Sequence, residues 1–177
     1  MPKSNRYEVI LAGSGGQGQV LAGIVLAEAA ILEGKNVVQT QSYGVASRGG
    51  LSLAEVIIDD GEIIFQQVQN PSLVLALAEE AMKKFEHLAS RGVPLFYDTT
   101  LVKERTGENL YGYPLTQTAS DLGNVGVCNI LSLGVLTRRS GVVGMESLVQ
   151  VIRKRFKGAA ADLNLKALQT GSDMAAR

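Results

Sequence analysis

Tyr7-Glu8-Val9-Ile10-Leu11-Ala12-Gly13-Ser14-Gly15-Gly16-Gln17-Gly18-Gln19-Val20-Leu21 decides the fold. Residues 7–12 read as a short buried strand bounded by glycine. Gly13, Gly15 and Gly18 then match the glycine-x-glycine-x-x-glycine spacing of a strand-to-helix phosphate loop. That spacing has a physical basis. One glycine makes the tight turn, one lets the backbone approach a pyrophosphate, and one lets helix and strand pack closely. Amides at the helix start then face an anion with the positive end of the helix dipole. A plain packing turn uses the same glycines, so the loop alone does not identify a ligand.

Residues 18–33 read as a helix ending near Gly34. Its apolar residues surround most of the cylinder and leave only Glu28 and Glu33 charged, the pattern of a helix buried on more than one side. Asn36 to Gln41 reads as a second strand and completes a βαβ-like unit. A glycine-bearing loop, Ser42 to Gly50, precedes a strand over Leu51 to Ile58. Asp59-Asp60-Gly61 is a turn, so a hairpin with Glu62 to Phe65 is expected. Strands follow over Leu73 to Leu77 and Val93 to Tyr97, separated by a helix over Glu79 to Ser90. Residues 103–112 read as a polar surface excursion, and Pro114 to Leu122 as a short strand and helix start. Helices are expected at 125–139, 145–156 and, briefly, Asp162 to Leu168. The alternation predicts a three-layer, Rossmann-like α/β fold with a largely parallel sheet and an antiparallel hairpin. With 177 residues, no internal repeat and no linker, residues 1–177 form one domain.

Composition narrows the function. Seventeen basic and seventeen acidic residues give zero formal charge, which argues against a nucleic-acid footprint. No apolar run approaches the roughly 20 residues that span a bilayer, so no membrane association is expected. Met1-Pro2-Lys3-Ser4-Asn5-Arg6 leads straight into a strand pattern rather than a signal peptide, and a cytoplasmic protein is expected. The single cysteine, Cys128, permits neither an internal disulfide nor a cysteine-ligated iron–sulfur cluster. It reads as a buried thiol, and His87 as solvated on a charged helix. Asp98, at a strand end, either contacts a ligand or caps the amides of Thr99-Thr100. Asn129 and Asn164, in otherwise apolar helices, are expected to tie loops or helix ends. No nucleophile–base pair, carboxylate dyad or metal cluster assembles from spacing, so no catalytic and no metal-ligating residue is assigned.

The first glycine loop then meets a test. A dinucleotide fold places an acid about 20 residues past the loop, at the end of the second strand, for the ribose. Val37-Val38-Gln39-Thr40-Gln41 offers none, and no Arg for a 2′-phosphate. A stand-alone NAD(P)-dependent dehydrogenase is therefore the weakest reading. No Gly-Lys-Ser/Thr closes the loop as a Walker A either. The Ser42–Gly50 loop should lie on the same sheet edge as the first. Tyr43 brings a ring and hydroxyl, Arg48 a fixed five-donor cation, and Gly49-Gly50 room for the backbone, enough to clamp a phosphate or carboxylate.

Gly-Ser-Gly-Gly-Gln-Gly after the first strand, a helix ending in Gly34, and Ser-Tyr-Gly-x-x-x-Arg-Gly-Gly together resemble the gamma subunit of 2-oxoacid:ferredoxin oxidoreductases. Asn129-Ile130-Leu131-Ser132-Leu133-Gly134 and Asn164-Leu165-Lys166-Ala167-Leu168 with Gly171 are similar to later motifs of that family, so the resemblance covers nearly the whole chain. The indolepyruvate oxidoreductase small subunit shares the domain, and the 2-oxoglutarate type is favoured. The resemblance implies a complex that decarboxylates a 2-oxoacid oxidatively with coenzyme A, giving acyl-CoA, carbon dioxide and reduced ferredoxin. It implies that this chain holds no cofactor alone. Thiamine diphosphate and iron–sulfur clusters would belong to alpha and beta partner subunits, with delta as a further candidate, and ferredoxin would be met indirectly. Coenzyme A, as co-substrate, would meet Gly13, Gly15, Gly16, Gln17 and Gly18, then Tyr43, Gly44, Arg48, Gly49 and Gly50. A purely structural docking subunit is the alternative, and an isolated chain is expected to homodimerise through its apolar surface. Where the family often has Tyr-Gly-Pro-Glu, this chain has Val45-Ala46-Ser47 after Tyr43-Gly44, which loosens the loop and removes a charge.

Overall fold

The computed structural model describes residues 5–43 and 50–176. Six strands form one sheet in the order β2-β3-β1-β4-β5-β6: β1 (Tyr7–Ser14), β2 (Asn36–Tyr43), β3 (Leu51–Asp59), β4 (Leu73–Ala76), β5 (Leu95–Asp98) and β6 (Leu110–Tyr113). β1, β4, β5 and β6 are parallel neighbours, whereas β3 runs antiparallel to both β1 and β2. Among the described residues six α-helices cover the sheet: α1 (Gln19–Leu32), α2 (Glu79–Phe85), α3 (Leu115–Asp121), α4 (Cys128–Ser140), α5 (Met145–Arg155) and α6 (Gly158–Ala175). The expected three-layer, largely parallel α/β architecture is what the chain adopts.

Strand alternation sorts the core. Val9 and Leu11 of β1 face the layer of α1 and α3–α6, joined there by Val56, Ile58, Leu75 and Phe96. Ile10 and Ala12 face the other way, onto Met82 and Phe85 of α2, with Val74 and Tyr97 beside them. A central parallel strand covered on both faces must be apolar on both, which is why β1 reads as a continuous run. Each such Leu, Ile or Phe contributes about 1.5–3 kcal/mol through burial. β2 is an edge strand, half exposed, and carries the polar Gln39, Thr40 and Gln41.

The expected hairpin partner is corrected. Residues 62–65 form no strand, because β3 already has β1 on one side and β2 on the other and offers no free hydrogen-bonding edge. The segment from Asp60 to Ser72 is instead pinned by a buried acid. Glu8 Oε2 accepts from the amides of Gln69 (2.6 Å) and Asn70 (2.7 Å), and its Oε1 accepts from Arg6 Nε at 2.8 Å. Arg6 also bonds Asp59 at 3.1 Å.

Two further differences have clear causes. The 103–112 excursion ends in β6, where Gly112 packs so closely that an added Cβ would lie 2.6 Å from the Thr99 Cγ2. α6 spans Gly158–Ala175, far beyond Asp162 to Leu168. Its Gly171 is not a break: a Cβ there would stand 1.9 Å from the Leu131 carbonyl oxygen, and one at Gly134 2.1 Å from that of Leu168. The paired glycines let the backbones of α4 and α6 touch.

Candidate functional site

The first glycine loop lies beyond the carboxyl end of β1, beside the end of β4. Connections from these two strands leave toward opposite sides, the crevice where open α/β sheets bind ligands. Gly13 is still within β1 and buried, whereas Gly15 and Gly16 are exposed in the turn. Gly18 is the N-cap of α1 with φ of 80°, left-handed backbone that glycine adopts without strain. No side chain caps this helix start, and its first turn carries no acid, so an anion would meet uncompensated positive dipole. Space differs sharply along the motif. A Cβ at Gly15 would meet nothing within 4 Å, while one at Gly13 would lie 2.0 Å from Gln19 Nε2.

The loop's polar side chains turn inward. Gln17 Oε1 accepts from the Ser14 amide at 2.7 Å, and Gln17 Nε2 donates to the Leu77 carbonyl at 2.9 Å. Gln19 Nε2 donates to the Ser14 carbonyl at 3.0 Å, and Asn129 Nδ2 from α4 to the Gly18 carbonyl at 3.1 Å. Asn129 thus ties a loop, as its burial in an apolar helix required. Asn164 bonds Ala160 in its own helix.

The two ends of the second loop lie at the same edge. Gly15 donates its amide to the Gly50 carbonyl at 3.2 Å, and Tyr43, at the end of β2, is 65% exposed beside the first loop. Gly44, Arg48 and Gly49 lie outside the described residues. Gly16, Gly18, Gln19, Leu21, Tyr43 and Ser52 line an open cleft of about 400 Å³. On the other side of the loop, Gly16, Gln17, Leu101, Thr116, Val125 and Cys128 line a narrower one of about 180 Å³. Gly16 borders both. Ser52 and Thr116 were not singled out in the sequence, since only the pairing of β1 with β3 and the start of α3 bring them to the loop.

Asp98 and Cys128 are structural neighbours of the narrower cleft. Asp98 is fully buried and accepts from the Thr100 amide (3.0 Å), the Thr116 amide (3.2 Å) and Thr116 Oγ1 (2.5 Å). It therefore caps its own turn and seats the start of α3. Burial pushes the Cys128 thiol up to about 11, against a smaller opposing effect of its contact with Thr116. His87 is exposed. Among the described residues no cluster of His, Cys, Asp and Glu could hold a metal ion, and no helix is long and apolar enough to cross a membrane.

The sheet order also bears on the dinucleotide reading. β3 stands between β1 and β2, so the end of β2 lies two strand spacings, about 9.5 Å, from β1 rather than one. A ribose held at the first loop would not meet β2 as it does in a Rossmann fold.

A family model described as pyruvate ferredoxin/flavodoxin oxidoreductase matches residues 8–174. The chain is 40% identical over 178 residues to 2-oxoglutarate synthase subunit KorC of Archaeoglobus fulgidus, covering 100% of this chain and 91% of that one. The keto/oxoacid ferredoxin oxidoreductase gamma subunit from Geobacter sulfurreducens superposes with a TM-score of 0.84 at 38% identity, over 96% of this chain and 98% of that one. The fold alone is shared with the 2-oxoglutarate:ferredoxin oxidoreductase from Magnetococcus marinus, solved with 2-oxoglutarate, coenzyme A and succinyl-CoA bound. That TM-score is 0.86 at 21% identity, over 97% of this chain and 31% of that longer one. The resemblance carried by the two glycine loops is therefore borne out: this chain belongs to the pyruvate ferredoxin/flavodoxin oxidoreductase family, alongside gamma subunits of 2-oxoacid:ferredoxin oxidoreductases.

Proposed function

We propose that the chain serves a 2-oxoacid:ferredoxin oxidoreductase, of the 2-oxoglutarate type, by binding coenzyme A at its glycine loops against thiamine-bearing alpha and beta subunits. The observation that carries this is the outward face of the first loop. Gly15 and Gly16 are exposed at an uncapped helix start, with open space over Gly15. Backbone amides and a helix dipole suit the pyrophosphate of coenzyme A, and the Arg48 loop would add a fixed cation for its third phosphate. The work of this chain is binding and orientation. It would hold the thiol-bearing co-substrate where the partner subunits, which supply thiamine diphosphate and iron–sulfur chemistry, release the acyl group. The electron pair freed on decarboxylation leaves through those subunits to ferredoxin.

A second role is favoured by one further observation. Tyr43 (65% exposed), Leu101 (48%) and Val125 (51%) ring the loop with apolar surface that a partner subunit would cover. Coenzyme A calorimetry on the isolated chain and on the assembled complex separates the roles. Binding in either form, weakened by Arg48→Ala, supports the ligand role. Absence of binding in both, with loop variants that break assembly, leaves only docking.

A further inference from the structure

The glycine loop is held by three side-chain amides that reach it from different directions, and the glycines at its ends leave room for them. We infer that Gln17, Gln19 and Asn129 are positioning residues: they lock the loop with its outer face toward the ligand and close the crevice that a dinucleotide would enter. This rests on the reading of that outer face as the coenzyme A site.

Gln17 is the key member. Its side chain runs from the Ser14 amide to the Leu77 carbonyl, bridging the chain ends that leave β1 and β4. Leu77 returns its own amide to Ala12 in β1 at 2.8 Å, so the two ends are laced on both sides. The crevice between these strands is where a Rossmann fold seats its pyrophosphate. Here it contains a glutamine. A ligand must ride over Gly15 and Gly16 instead, which reassigns Gln17 from ligand contact to strut.

The other two struts close the set. Gln19 is 2% exposed and holds the Ser14 carbonyl, so both backbone groups of Ser14 bond glutamine side chains. Asn129, also 2% exposed, gives the Gly18 carbonyl a second donor besides the Ala22 amide. The spacing of the motif follows from these contacts. A Cβ at Gly13 would strike Gln19 (2.0 Å) and Gln17 (2.5 Å), and one at Gly18 would strike Asn129 at 2.5 Å. Gly15 alone of the motif's three spaced glycines is open within 4 Å. Two glycines therefore admit struts and one admits the ligand. A loop ordered before binding spends less of the interaction on ordering itself.

Neutral, size-conserving variants test this without adding charge near a phosphate: Gln17→Met and Asn129→Leu, each made separately. Coenzyme A affinity would be measured on the full chain, and KM for coenzyme A in the complex, alongside amide hydrogen exchange and melting temperature. The expected result is faster exchange confined to residues 14–22 and coenzyme A affinity reduced about tenfold, as loss of a strut bond of ordinary strength allows. In the complex, KM should rise more than kcat falls. Unchanged exchange and unchanged affinity in both neutral variants would overturn the inference while leaving the coenzyme A site standing. If wild type binds no coenzyme A in either form, the ligand reading fails. The exchange data then decide the struts alone, faster exchange retaining them and unchanged exchange removing them.

Discussion

Gly15→Ala and Gly18→Ala should part company, because one glycine faces open space and the other faces the protein. At Gly18 the backbone sits at φ of +80°, where an L-residue costs about 1–2 kcal/mol. The new methyl would also stand 2.5 Å from Asn129 Nδ2 and displace its bond to the Gly18 carbonyl, about 1 kcal/mol more. The smaller unfolded-state entropy of alanine returns about 0.4–1 kcal/mol. The net loss is about 2 kcal/mol, which for a domain of this size lowers Tm by about 4–8 °C. Gly15 does not have left-handed backbone and its Cβ would meet nothing within 4 Å. Its stability should change by less than about 0.5 kcal/mol. Its affinity for coenzyme A should fall at least tenfold, since the methyl occupies the approach to the loop amides. Circular-dichroism melting and calorimetry on the same preparations read both quantities. Equal Tm losses for the two variants would refute the assignment of space. An unchanged Kd for Gly15→Ala would refute the approach over that residue.

Gly171→Ala pits helix propensity, which favours alanine by about 1 kcal/mol, against a Cβ 1.9 Å from the Leu131 carbonyl oxygen. The clash should win, with a net loss of about 1–3 kcal/mol in thermal or urea unfolding. Glu8→Gln removes a charge from a 3%-exposed group bonded to Arg6, Gln69 and Asn70. It should cost about 2 kcal/mol and open the segment carrying Ile64 and Phe65 to limited proteolysis. The Cys128 thiol, ordinarily near 9.0 and pushed up to about 11 by burial, should alkylate at pH 8 about a hundredfold more slowly in the native than in the unfolded chain. Because the folded state holds that proton more tightly, the associated stability is present below pH 9 and lost as pH rises through 11, which pH-dependent melting would show.

Legibility in the sequence followed how local each feature is. β1, α1 and the glycine loop were readable because their signals sit within one stretch: an apolar run, three spaced glycines and an apolar helix. The place of β3 between β1 and β2 was not, since strand order is a long-range choice, and a turn at Asp59-Asp60-Gly61 looks the same whether or not a strand follows. α6 was expected only over Asp162 to Leu168, because the α4 contact that keeps Gly171 within the helix, against the Leu131 carbonyl, is not local in sequence. At the site, the two ends of the second loop, Tyr43 and Gly50, lie beside the first, as expected of a loop that directly follows a strand parallel to β1. The hydrogen bonds of Gln17 and Gln19 were hidden: Gln17 reads as a ligand donor and Gln19 as a plain helix start unless their partners, Ser14 and Leu77, are known. Asn129 was the exception. A polar residue in an apolar helix had to be satisfied, and Gly18 satisfies it.

The role proposed for this chain is to bring coenzyme A to a 2-oxoacid oxidoreductase. Its most direct test is coenzyme A-dependent oxidation of 2-oxoglutarate by the complex, with ferredoxin as acceptor, assembled from the partner subunits with wild-type chain, with Gly15→Ala, or without it. Turnover should require this chain, and Gly15→Ala should raise KM for coenzyme A at least tenfold while KM for 2-oxoglutarate stays within about twofold. Partner subunits that turn over alone with the same KM for coenzyme A, or a Gly15→Ala complex indistinguishable from wild type, would contradict it.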